Sequence, residues 1–192
     1  MFRHFLWIGL FSLLLTGCYS VKKSVAASQP YSSQINWPEE YKPEKASFYA
    51  HNAIEIAATP EVVWQILMEA ETWPDWYEGA EDLEIQNSDD GQLDASSVFT
   101  WKTMGLNFTS TIREFESPYR LSWESTKSSI KGYHAWLIIP TENGCKLITD
   151  ESQYGWLTFM EKTFQPKKLE RLHDIWLAAI KEKAEKRGEV GS

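Results

Sequence analysis

The order of apolar patterns predicts an α+β protein: one strand, a short helix, a run of antiparallel strands and a long amphipathic C-terminal helix. Two observations carry that expectation. Turn signals punctuate residues 83–153 and end in Asn143-Gly144, a dipeptide that marks a hairpin when apolar runs flank it. Beyond them Leu169, Leu172, Trp176, Leu177 and Ile180 recur at i, i+3, i+4 spacing, the period of a helix with one buried face.

The chain opens on Arg3 and His4, an apolar run from Phe5 to Leu15, and then Leu15-Thr16-Gly17-Cys18. A run of that length matches a secretory signal and falls short of the ~20 residues that span a bilayer. The four residues resemble the lipobox of bacterial lipoproteins, which implies cleavage after residue 17 and acylation of Cys18. Because each buried CH₂ contributes ~0.8 kcal/mol, two or three acyl chains fix a protein to a membrane where one does not. Tyr19 is not the aspartate that retains lipoproteins in the inner membrane, so the expected location is the cell envelope, on the outer membrane facing the periplasm. An acylated Cys18 leaves Cys145 without a disulfide partner, and Gly144-Cys145-Lys146-Leu147 offers no base to activate a thiol, so Cys145 reads as a small buried apolar residue.

From Tyr19 to Lys45 the chain is rich in serine, carries Pro30, Pro38 and Pro43, and has no apolar period. It reads as the lipidated start (residues 18–45) of a flexible tether reaching about 30 Å, with Trp37 and Tyr41 free to touch either lipid or the domain. Residues 46–187 form one domain, with 188–192 as a disordered tail.

Within the domain, Ser47 to Ala57 predicts a strand. Thr59-Pro60-Glu61 opens a helix, with Thr59 as cap, Pro60 at the first helical position and Glu61 facing the positive end of the dipole. Val63, Ile66, Leu67 and Ala70 form its buried stripe, and Trp73-Pro74-Asp75-Trp76 makes a short turn. Strands are expected at 83–87, 98–103, 106–115, 119–125, 130–139 and 145–153, joined by Asp89-Asp90-Gly91, Met104-Gly105, Ser117-Pro118 and Asn143-Gly144. Serial hairpins imply an antiparallel meander. Pro166 either kinks the closing helix or marks its start.

This order, together with Ile56-Ala57-Ala58-Thr59-Pro60-Glu61-Val62-Val63-Trp64 and Trp73-Pro74-Asp75-Trp76, resembles the START-like helix-grip superfamily (SRPBCC), most of all its polyketide cyclase/dehydrase-type branch. Phe99-Thr100-Trp101, Arg120-Leu121-Ser122-Trp123, Gly132-Tyr133-His134-Ala135-Trp136 and the stretch from Glu151 to Gly155 add to the likeness, which covers about Ser47 to Lys186. The resemblance implies a curved antiparallel sheet wrapped around the C-terminal helix with an apolar cavity between them. It further implies an apolar guest such as a lipid, a quinone-like compound or a polyketide, with no cofactor and no fixed catalytic residue.

Strand alternation puts His134, Trp136 and Ile138 on one face, and Cys145, Leu147, Thr149 and Glu151 on one face of the next strand. Phe99 with Trp101, and Trp123 after Leu121, are similarly disposed. The expected ligand-binding set is therefore Trp73 and Trp76 near the mouth, Phe99, Trp101, Trp123 and Trp136 on the sheet, and Leu172 and Trp176 on the helix. His134 and Glu151 are the polar exceptions: they serve as ligand contacts, as a weaker acid–base pair, or as a buried hydrogen bond that pins two strands. His173, beside Asp174, is a lesser candidate.

Composition excludes other classes. With 19 basic residues against 27 acidic and a formal charge of −8, the chain is unsuited to nucleic acid or to a polybasic hold on anionic lipid. The histidines lack metal-ligand spacing, no Cys-x-x-Cys occurs, and phosphate loops and Gly-x-Ser-x-Gly elbows are absent, so no metal is expected. Three functions remain: a lipoprotein that binds one hydrophobic small molecule, a cofactor-free cyclase or isomerase using His134 and Glu151, and a ligand-free protein-interaction lipoprotein.

Overall fold

A computed structural model describes residues 22–86, 88–156, 158, 165 and 167–190. The signal segment, Cys18, Tyr19 and Pro166 lie outside them. A helix α1 (22–32) and two 3₁₀ turns (Glu39–Tyr41 and Pro43–Lys45) lead into β1 (Phe48–Ile56) and α2 (Pro60–Met68). A 3₁₀ turn at Ala70–Asp75 precedes β2 (Glu81–Ile85), β3 (Val98–Thr103), β4 (Leu106–Glu116), β5 (Arg120–Lys127), β6 (Ile130–Thr141) and β7 (Gly144–Tyr154). The long helix α3 (Lys168–Val190) closes the chain.

The seven strands form one antiparallel sheet in the order β1-β7-β6-β5-β4-β3-β2, so the meander from β2 to β7 ends beside the first strand. This is the helix-grip α+β fold, with α3 against β1 and α2. The α2 stripe of Val63, Ile66 and Leu67 is fully buried, as its spacing requires. Thr59 makes no side-chain cap; its carbonyl instead accepts from the amides of Val62 and Val63. Strand boundaries agree with expectation to within two residues throughout. Residues 188–190, expected in a disordered tail, continue α3.

At the tight β6–β7 turn Gly144 has φ +144°, and a Cβ there would stand 2.1 Å from the Ile56 carbonyl oxygen. Glycine is therefore required both for the left-handed backbone and for the approach of β1.

Of the expected tether, the described residues 22–45 are part of the fold. Ile35 and Tyr41 are buried with Tyr133, Ala135, Leu137 and Ile148 on the outer face of the sheet, and Trp37 packs on Tyr49 and Tyr133. Tyr31 stacks on His51 at 6.1 Å, Asn36 donates to Glu114, and Ser24 donates to Glu170 at the start of α3. The physical reason lies in β6, where the outward Tyr133, Ala135 and Leu137 are as apolar as the inward set. A sheet with two apolar faces needs a cover on each. Beneath that cover the fully buried Asp150 accepts from Tyr49 Oη at 2.9 Å and pairs with His51 Nδ1 at 2.5 Å.

Candidate functional site

The inner face of the sheet and α3 enclose a core dominated by tryptophan. Trp73, Trp123, Trp136 and Trp176 are all fully buried. Trp176 lies 5.0 Å from both Trp73 and Trp136 and stacks on Tyr77 at 4.3 Å. Edge-to-face and stacked pairs of this kind add about 0.5–1.5 kcal/mol each beyond area burial. They also fill space: the cleft keeps about 30 Å³ of free cavity volume, against about 530 Å³ when all the space between its walls and the solvent open to it are counted. The first volume suits a water molecule.

Registry places the polar groups. His134 and Glu151 are direct partners across β6 and β7, two positions from the Trp136–Thr149 pair on the same face. His134 Nδ1 is 3.0 Å from Glu151 Oε2, and its Nε2 is 2.7 Å from Thr149 Oγ1. From α3, one turn before Trp176, His173 brings Nε2 to 3.3 Å from the same Oε2. Gln153 Nε2 donates to the other oxygen, Oε1, at 2.5 Å. His134 is also sandwiched between Trp123 and Trp136, with ring centroids 4.7 and 5.2 Å away.

Burial disfavours the charged form of each group, but the outcomes differ. Burial is the largest influence on His134 and lowers its pKa, despite the opposing pull of Glu151. Burial alone would raise Glu151; hydrogen bonds from His134 and His173 outweigh it and hold the carboxyl well below the usual range. The site thus presents an ionised carboxylate flanked by two imidazoles on the floor of an aromatic cleft. The Glu151 side chain keeps 15% exposure toward it.

Six of the ten residues expected to bind a ligand line this cleft: Trp101, Trp123, His134, Glu151, Leu172 and Trp176. Trp73, Phe99 and Trp136 lie in the core outside that lining. Trp76 sits half-buried on the outside of the core, with the Lys183 ammonium 5.1 Å from its ring. Met104 and Leu169 also line the cleft; the sequence marked them only as part of a turn and of the helical stripe, because neither belongs to an aromatic motif. Asn52, which receives His173, gave no signal either, since its role depends on β1 lying beside α3. The expectation that no metal-ligating set exists needs correcting: the histidines are scattered in sequence, yet His134, Glu151 and His173 each offer a ligand atom within 4.8 Å of the others.

Cys145 is buried and its thiol is pushed up to about 11 by burial, with Glu55 and Glu61 adding to the effect.

Three hydrogen-bond donors stand out in this core. The indole N–H groups of Trp123, Trp136 and Trp176 are buried and have no acceptor among the described residues, whereas Trp101 Nε1 donates to Ser110 Oγ at 3.0 Å. An unsatisfied buried donor costs about 1–3 kcal/mol.

Solved structures share this architecture. A hypothetical protein of Helicobacter pylori superposes with a TM-score of 0.72 at 24% identity, covering 78% of this chain and 95% of its own. The di-domain aromatase/cyclase StfQ of the steffimycin biosynthetic pathway gives 0.61 at 14% identity over 72% of this chain, which spans about half (51%) of that longer protein. A START superfamily protein of Mycobacterium smegmatis gives 0.53 at 16% identity, covering 75% and 99%. At these identities the likeness is one of fold. No curated protein sequence matches the chain. The match to a family model is broader: residues 48–185, from the start of β1 nearly to the end of α3, fit that of polyketide cyclase / dehydrase and lipid transport proteins, and the chain belongs to this family.

Proposed function

We propose that this protein binds a small, largely apolar molecule bearing an acceptor oxygen, and that it does so while held to the bacterial envelope by acyl chains on Cys18. The single observation that carries the ligand reading is the pair of orphaned indole donors, Trp123 Nε1 and Trp176 Nε1, on residues that line one cleft. A ligand oxygen satisfies such donors while its apolar body covers the walls. Because that free volume is small, the ligand takes the open part of the cleft, whose lining includes Met104, Leu169 and Leu172, with its polar end near His134 and Glu151.

Anchoring complements that placement. Ser24, hydrogen-bonded to Glu170, lies one residue from the mouth-lining Leu169 in that contact. Five residues separate it from Cys18, six Cα-to-Cα steps that span at most about 22 Å. An acylated Cys18 would therefore keep the mouth near the lipid surface, the natural source of an apolar guest. Trp156, 67% exposed, follows Gly155, whose backbone abuts Ile130 at the same mouth. Tryptophan in such a position suits a membrane interface.

Cofactor-free cyclisation or isomerisation at the same site is the second reading, favoured by the ionised Glu151 between two imidazoles. A carboxylate can take a proton that an imidazole then returns. Turnover lost in Glu151→Gln with binding kept would support it; unchanged turnover in that variant removes it.

The test of binding is native mass spectrometry of the lipoprotein taken gently from its membrane, beside a delipidated control, followed by tryptophan fluorescence titration with the guest so identified. An apolar adduct at one per chain, a fluorescence change on rebinding, and loss of both in Leu172→Trp are the expected results. A clean unliganded mass, with no response to a broad panel of lipids and aromatic ketones, would instead favour a protein-interaction role. Labelling with radioactive palmitate tests the anchor: label absent from Cys18→Ala is expected, and label retained sinks the lipobox assignment.

A further inference from the structure

His134, Glu151 and His173 come from β6, β7 and α3, and each offers a ligand atom within 4.8 Å of the other two. His134 Nδ1 and His173 Nε2 stand 3.0 and 3.3 Å from the same oxygen, Glu151 Oε2. Ligand atoms bound to one tetrahedral ion at about 2.0–2.1 Å lie about 3.3 Å from each other. Both separations are thus close to those within a coordination sphere.

The outward-facing nitrogens are fixed as such a sphere requires. Asn52 Nδ2 donates to the Glu170 carbonyl at 3.1 Å and to Asp174 Oδ1 at 2.7 Å, which commits its hydrogens and turns Oδ1 toward His173 Nδ1 at 3.2 Å. An amide oxygen only accepts, so Nδ1 carries a proton, and Nε2 is the nitrogen turned toward the cluster. His134 Nε2 is held by Thr149 Oγ1 at 2.7 Å, which orients the ring with Nδ1 toward Glu151. Tying the far nitrogen of an imidazole to a fixed oxygen is how proteins set the tautomer of a metal ligand. Gln153 steadies the remaining carboxylate oxygen.

Charge points the same way. Among the described residues that line the cleft there is no lysine or arginine to stand as a cation beside the Glu151 carboxylate. A proton shared with one imidazole would answer only part of the geometry, since two rings and one oxygen converge. We infer that His134 Nδ1, Glu151 Oε2 and His173 Nε2 form a site for one divalent transition-metal ion of the zinc class, with a fourth position open to the cleft. Two imidazoles select against magnesium and calcium, which take oxygen ligands, and three protein ligands with an open position describe a reactive rather than a purely structural site. The cleft's free volume of about 30 Å³ accommodates a bound water.

The inference is independent of the apolar guest: metal binding can fail while the guest binds, and the reverse. The test uses the purified full-length lipoprotein in detergent, stripped with chelator and titrated with Co²⁺ and then Zn²⁺. One equivalent of Co²⁺ with the intense visible absorption of a four- or five-coordinate site, bleached by one equivalent of Zn²⁺, is expected. His173→Ala should abolish it, and Asn52→Ala, which touches no metal, should weaken Zn²⁺ binding by about 10- to 100-fold. Wild-type protein that shows neither the spectrum nor calorimetric heat with Zn²⁺ overturns the site whatever the variants do. So does binding of unchanged affinity in a folded His173→Ala, verified by circular dichroism.

Discussion

Tyr41 donates its hydroxyl hydrogen to Glu124 Oε1 at 2.7 Å, joining the segment ahead of the first strand to the middle of β5. Arg113 holds the other carboxylate oxygen at 2.6 Å. Burial pushes the Glu124 carboxyl up, but the contacts from Tyr41 and Arg113 prevail and its pKa is lowered overall. A carboxyl lowered in the folded state contributes stability above its unfolded pKa of about 4.3, and that contribution fades as pH falls through the folded value. Tyr41→Phe should therefore cost about 1.5–3 kcal/mol at pH 7, as expected for a hydrogen bond to a charged group. In urea denaturation the gap between wild type and variant should narrow below pH 4. A gap that stays constant down to pH 3 would show that the hydroxyl contributes nothing through the ionised acid.

Trp176 sits where the aromatic core meets the cleft, in contact with Trp73, Trp136 and Tyr77. Trp176→Ala should lower stability by about 3–5 kcal/mol, the usual cost of removing a large buried aromatic. A loss under 1 kcal/mol in chemical denaturation would mean that neighbouring rings collapse into the space, and that the core is less rigid than its packing indicates.

Gly144 tests the hairpin. With φ at +144° and the Ile56 carbonyl oxygen 2.1 Å from any added Cβ, Gly144→Ala strains the turn and drives β1 away from it. The backbone term alone is worth about 1–3 kcal/mol. In a domain of this size each kcal/mol moves the melting temperature by roughly 2–4 °C. A drop of that order or larger in a thermal melt is expected, and an unchanged melting temperature would contradict the close approach of β1.

The inner face of the sheet was legible because it alternates in single strands: His134, Trp136 and Ile138 against Cys145, Leu147, Thr149 and Glu151, which the β6–β7 register brings together. Periodicity likewise identified the buried side of α3. The N-terminal cover was not legible, because residues 22–45 carry only Ile35, Trp37, Tyr41 and a few others as anchors and show no helical stripe. Its signal lay elsewhere, in the unbroken run from Tyr133 to Ile139, which leaves β6 no polar side to show to water. The third member of the polar cluster was obscured for a different reason. His173 lies 22 residues beyond Glu151, and only the docking of α3 between Asn52 and Glu151 fixes where it points.

Cys145 provides the last test, and it separates a packing residue from a chemical one. The thiol is buried on the inner face of β7 and its pKa is about 11, raised first by burial and then by Glu55 and Glu61. At pH 8 the thiolate is then roughly one part in a thousand, and it is the thiolate that reacts. If Cys18 is acylated as proposed, Cys145 is the one thiol left to titrate, since the chain has two cysteines. A disulfide reagent at pH 8 should leave the native protein unmodified for hours and label one thiol per chain at once in denaturant. Labelling in the native state should rise only in step with unfolding, so its rate should follow the denaturation curve. Fast labelling of the folded protein would instead place Cys145 at an accessible, activated position and return it to the list of reactive groups.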